Sequence, residues 1–133
     1  MSENRVTMQQ KKAVAERAKG CCEYCRSQVR FAIQPFSVEH IIPKSQSGKT
    51  TLDNLALSCQ GCNNHKYNKT VGRDIVSGNV VSLYHPHQQQ WSEHFAWNDD
   101  FNMVIGLTPT GRTTVETLQL NRDGVINLRR IYY

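Results

Sequence analysis

Cys22-Glu23-Tyr24-Cys25, then Val38-Glu39-His40-Ile41-Ile42-Pro43, then Asp53-Asn54-Leu55, then Cys59-Gln60-Gly61-Cys62-Asn63-Asn64-His65-Lys66: these four pieces decide how the rest of the chain is read. The outer two are cysteine pairs of identical spacing, separated by 33 residues. A structural zinc site takes four tetrahedral ligands, and Cys22, Cys25, Cys59 and Cys62 supply four thiolates. With every position filled by sulfur, such a metal has no open site and serves as a staple. Four unrelated buried cysteines is the bland alternative, and two matched pairs in a chain of 133 residues argue against it. A redox pair needs a single exposed Cys-x-x-Cys before a helix in a βαβ context, which is missing here. Cys21 is left over as a small spare thiol.

A staple also answers a deficit. From residue 20 to 35 the apolar residues are scattered, too few to fold that segment unaided. By length the chain is a single domain, residues 1–133, with a core motif at 20–70 and a C-terminal extension at 71–133. No run of 18 apolar residues exists, so no membrane span is expected. The start, Met1-Ser2-Glu3-Asn4-Arg5, has neither an apolar run nor a cleavage signature, the pattern of a cytoplasmic protein. In a reducing compartment paired cysteines favour metal over disulfide. The formal charge of +5 favours an anionic partner, although four thiolates binding one Zn²⁺ would lower it by two.

Working outward, residues 7–20 read as a helix with a Thr7/Gln10 capping box and a Gly20 stop. Its apolar side, Met8, Val14, Ala15 and Ala18, is thin, so it is expected to lean on the domain rather than form its centre. Residues 36–42 alternate as a strand that Pro43 ends. A polar loop follows, then a second strand within 52–58, then a helix opening at Asn63. Beyond Val71 a hairpin is expected around Ser77-Gly78-Asn79, with Asp74-Ile75-Val76 as its first arm. Residues 94–97 and 103–107 are strand candidates. A helix starts at Pro109, and Asn121 is positioned to cap a last helix toward Tyr133.

The middle pieces carry chemistry of their own. His40 titrates near neutrality and suits a general base. Glu39 and Asn63 offer hard oxygens of the kind Mg²⁺ or Mn²⁺ prefers. Strand alternation sends Glu39 and His40 to opposite faces, so sharing a site requires the strand to end or bend there. Asn54 is a candidate to hydrogen-bond near His40 and fix its ring. Each also has a plainer reading: a structural histidine, a helix cap at Asn63, a turn residue at Asn54.

Order and spacing decide between them. The segment resembles the HNH endonuclease family, whose pattern joins two Cys-x-x-Cys pairs to an acidic or His residue followed by His-Ile-x-Pro, an Asn-Leu pair and a final Asn/His-x-x-Lys. The resemblance implies an α+β fold, a ββα-metal core stapled by zinc, with an N-terminal helix and a small α/β extension. It implies a metal-dependent DNA endonuclease in which His40 is the general base and Asn54 orients it. Glu39 and Asn63 then hold one catalytic Mg²⁺ or Mn²⁺, with His65 as the alternative to Asn63. Glu39 stands where many members have Asp. Lys66 falls where the family often carries a basic residue near phosphate, and its plain reading is a solvated helix face. Lys44, Lys49, Lys69 and Arg73 are candidate phosphate contacts on DNA, expected to be double-stranded. The competing function is a zinc-stapled module that binds nucleic acid without cutting it. His85, His87 and His94 read as loop and surface residues. Trp91, Phe95 and Trp97 read as packing residues of the C-terminal layer.

Overall fold

A computed structural model describes residues 5–132. The chain divides into two compact units, Met1–Asn63 and Asn64–Tyr133. Among the described residues no helix is long and apolar enough to cross a membrane.

The first unit opens with helix α1, Met8–Ala18. Thr7 and Gln10 form the capping box: the Gln10 backbone N–H donates to Thr7 Oγ1 (3.0 Å), and Thr7 N–H donates to Gln10 Oε1 (2.9 Å). The helix stops through Lys19 in the left-handed region, followed by Gly20 at φ +70°. Strands β1, Ser37–His40, and β2, Leu55–Ser58, pair antiparallel with Ser37 opposite Ser58 and His40 opposite Leu55. This register puts Val38 and His40 on one face with Leu57 and Leu55, and Ser37 and Glu39 on the other with Ser58 and Ala56.

Val14, Leu55 and Leu57 form the buried core, with Val6, Ala18, Phe36 and Val38 packed around it. The expectation that α1 merely leans on the domain is therefore corrected. Met8 points to water, but Val14 is fully buried at the centre. Arg17 adds a polar clamp from α1, donating from Nη1 to the Leu52 carbonyl (3.0 Å) and from Nη2 to the Leu55 carbonyl (2.7 Å). Helix α2, Gln60–Lys66, follows β2 directly and completes a ββα order. It begins inside the second cysteine knuckle, three residues earlier than expected. Asn63 is thus within the helix, its N–H donating to Cys59 O (3.0 Å), and does not cap it.

The second unit holds strands β3, Val71–Arg73, and β4, Val80–Ser82, paired antiparallel. Asp74-Ile75-Val76 is not a strand arm but part of the turn. Buried Asp74 accepts from the N–H groups of Val76 (3.4 Å) and Ser77 (3.1 Å) and receives a two-pronged contact from Arg112 (3.0 and 2.8 Å). A carboxylate satisfied by its own turn outweighs the strand propensity of Ile75 and Val76.

Next come the short helix α3, Trp91–His94, and the antiparallel pair β5, Phe95–Trp97, and β6, Val104–Gly106. Helix α4, Pro109–Leu118, is capped by Thr108, whose Oγ1 accepts from Gly111 N–H (3.0 Å). Helix α5 is Asp123–Tyr132. Asn121 does not cap it; its side chain takes Val104 N–H (2.7 Å) and donates to Val104 O (2.8 Å). Tyr133, where this helix was expected to end, lies outside the described residues. Leu83, Tyr84, Phe95, Val104, Leu118, Leu120 and Val125 are buried. Phe95 meets Tyr84 edge-on and Trp91 tilted, both at 5.1 Å between centroids. Arg129 lies over Trp97 at 5.0 Å.

Candidate metal centre and hairpin site

The metal ligands come from two knuckles that flank the hairpin in sequence. Ligand atoms of Cys22, Cys25, Cys59 and Cys62 all lie within 4.8 Å of one another, and all four residues are buried. Cys25 Sγ and Cys59 Sγ are 3.6 Å apart. A tetrahedral zinc site with metal–sulfur bonds of about 2.3 Å has sulfurs about 3.8 Å apart, so the cage fits the ion. The Cys62 backbone N–H donates to Cys59 Sγ (3.4 Å), and Ser27 Oγ approaches Cys25 Sγ at 3.1 Å.

Four thiols this close share their protons unequally. Burial pushes Cys22 up; Cys22, Cys59 and Cys62 pull Cys25 down, and Cys22 with Cys62 brings Cys59 to about 7 against the opposing push of Cys25. A divalent cation removes that conflict by holding all four as thiolates. Cys21 is outside the cage; its Sγ lies 3.8 Å from Lys19 O.

The first knuckle is also tied to the sheet. Glu23 donates its N–H to Leu57 O (2.9 Å) and accepts Leu57 N–H on its carboxylate (2.8 Å). Glu23, which lies between two ligands in the sequence, thus acts as an extra partner for β2. An acidic residue between two ligands carries no pattern that would have flagged it.

His40 is the last paired residue of β1. Its Nε2 lies 2.9 Å from Thr50 Oγ1. Burial first, then the positive charge of Lys44, hold its imidazole below the usual value, which keeps the ring neutral near pH 7.

Asn54 is buried, and its hydrogen bonds go to the backbone rather than to the ring. It accepts Ile42 N–H (2.9 Å) and donates to the carbonyls of Ile42 and Lys49 (2.9 Å each). The ring's partner is Thr50, and Asn54 acts one step away by pinning the loop from which Thr50 comes. Gly48 makes that loop possible. A Cβ there would sit 1.7 Å from Ile42 O, and the Gly48 N–H donates to Pro43 O (3.0 Å). Thr50 is the residue sequence reasoning missed, because a threonine ten positions downstream has no periodic or motif signal linking it to His40.

Glu39 is half-buried on the opposite face of the hairpin from His40. The strand pairs regularly through His40, so nothing brings the two side chains to one face. Gln60 anchors the start of α2 on the Glu39 face, donating from Nε2 to Ser37 Oγ (2.8 Å) and Pro35 O (2.9 Å). Asn63, three residues on, shares that side of the helix. His65 is two residues further and about 200° around the helix axis from Asn63. A cavity of about 480 Å³ lined by Lys11, Phe36, Val38, Glu39 and Leu57 includes none of His40, Asn54 and Asn63.

Of the candidate phosphate contacts, Lys44 and Lys49 are exposed on the loop after β1, and Lys69 and Arg73 are exposed in the second unit. Arg73 is partly committed, donating to Gly78 O (2.6 Å). Lys66 departs from both earlier readings. It is only 6% exposed, so it is neither a solvated helix face nor a surface cation. His85 is buried as well and accepts His87 N–H on Nδ1 (3.2 Å), which corrects its reading as a surface residue.

A two-stranded hairpin followed by a helix, with a four-cysteine cage at its margins, defines a ββα-metal core of the zinc-stapled kind. Residues 22–69 match the sequence model of the HNH endonuclease family. No curated protein matches the chain.

Proposed function

We propose that the protein is a metal-dependent DNA endonuclease that nicks one strand at a time, with His40 as general base. The observation that supports this reading best is the match of residues 22–69 to the HNH endonuclease family model, on a hairpin whose first strand ends at His40 with Nε2 2.9 Å from Thr50 Oγ1. Glu39 and Asn63 are the oxygen-bearing residues that the motif offers beside it.

In hydrolysis a water oxygen bonds to phosphorus as the P–O bond to the leaving sugar breaks. His40 accepts the proton that the water releases. Glu39 and Asn63 would hold the catalytic Mg²⁺ or Mn²⁺; such an ion supplies stabilisation of charge on the phosphate and leaving oxygen. Lys44 and Lys49 meet flanking phosphates, which hold DNA without reading sequence. The cysteine cage takes no part in the chemistry.

Purified protein with Mg²⁺ or Mn²⁺ is expected to convert supercoiled plasmid to nicked circles. His40→Ala should lower the rate by about 10²-fold or more while zinc content and folding stay unchanged. Equal cutting by both proteins would refute the mechanism. No cutting of DNA or RNA with any divalent ion would favour the non-cleaving binding module.

A further inference from the structure

We propose that Thr50 is the positioning residue of His40: its hydroxyl accepts the Nε2–H and so leaves Nδ1 as the basic nitrogen. The contact between Nε2 and Thr50 stands on geometry alone, whereas the choice of tautomer and its catalytic consequence rest on the nuclease reading.

A neutral imidazole carries one N–H, and the other nitrogen holds the lone pair that takes a proton. Nε2 lies 2.9 Å from Thr50 Oγ1, so one of two arrangements holds. If Nδ1 carried the hydrogen, the Nε2 lone pair would be spent on the Thr50 hydroxyl and the ring would have no free basic nitrogen. If Nε2 carries it, the Thr50 oxygen accepts, Nδ1 is free, and the bond survives when Nδ1 takes up a proton. Only the second arrangement serves a base.

The loop is built to keep the oxygen in place. Gln10, the capping-box residue of α1, donates from Nε2 to Thr50 O (3.1 Å) while its Oε1 caps Thr7. Asn54 holds the adjoining Lys49 carbonyl, and the residue at 48 has to be glycine for the loop to close on Ile42. Thr50 is therefore fixed from α1 on one side and from the buried amide of Asn54 on the other. A hydroxyl at the end of a mobile loop would need none of this.

The test uses the zinc-loaded full chain with ¹⁵N-labelled histidine. Wild type should show His40 as the Nε2–H tautomer near neutral pH. Thr50→Val, close in shape but without the hydroxyl, should give a tautomer mixture, and Thr50→Ser should restore the wild-type signature. In plasmid nicking, Thr50→Val should lower kcat about 10–100-fold with little change in KM, and Thr50→Ser should recover most of it. A wild-type Nδ1–H tautomer would overturn the proposal. So would a Thr50→Val protein with unaltered tautomer and kcat. If no protein cuts but the tautomer responds as described, the positioning role stands and the nuclease reading falls.

Discussion

Asn54 carries more of the local structure than its place in a turn suggests. It makes three hydrogen bonds to backbone groups of residues 42 and 49 while itself buried. Replacing it with alanine leaves those groups without partners, a loss of about 2–4 kcal/mol. Asn54→Ala is therefore expected to lower the denaturation midpoint in urea and to slow nicking as the Thr50 loop loosens. Asn54→Asp keeps the acceptor but turns a carboxylate oxygen on the carbonyls of Ile42 and Lys49, so it should be at least as destabilised as the alanine variant. An alanine variant as stable as wild type would show that the loop is held by other means. At this scale the residue types were legible in advance, but their partners were not. Asn54 was expected at the His40 ring, yet the contact belongs to Thr50, because a loop closing through Gly48 decides which side chain arrives.

Elements formed where local signals were strong and unopposed. The Thr7/Gln10 box starts α1, and Thr108 with Pro109 starts α4. They diverged where a side chain answered a partner far along the chain. Asp74 lies 38 residues from Arg112, and their contact converts an expected strand arm into a turn. The guanidinium of Arg112 holds the Asp74 carboxyl well below the usual carboxylate range. Its contribution to folding is thus fully present above the unfolded value of about 3.9 and is lost as pH falls through the lowered folded value. Thermal melts of wild type should decline below about pH 4, and Asp74→Asn should melt lower at neutral pH but show a shallower acid decline. Parallel pH curves for the two proteins would remove Asp74 as the source.

At the level of the whole chain, metal and aromatic core fall in different units. All four cage cysteines belong to Met1–Asn63, whereas Trp91 and Trp97, the protein's two tryptophans, belong to Asn64–Tyr133. Stripping zinc with a strong chelator should therefore lower far-UV ellipticity and destabilise the first unit while tryptophan fluorescence changes little. Cys22→Ser should mimic the chelator. Loss of tryptophan signal in step with ellipticity would mean that the units unfold together. The cage and the ββα order were legible in the chain alone, because ligand type and spacing are local properties. Only the tertiary structure decided that Val14 sits at the centre of a core, that Lys66 is buried, and that Thr50 rather than Asn54 bonds the His40 ring. Those outcomes depend on which surfaces close on one another, and that closure is set by packing between residues far apart in the chain.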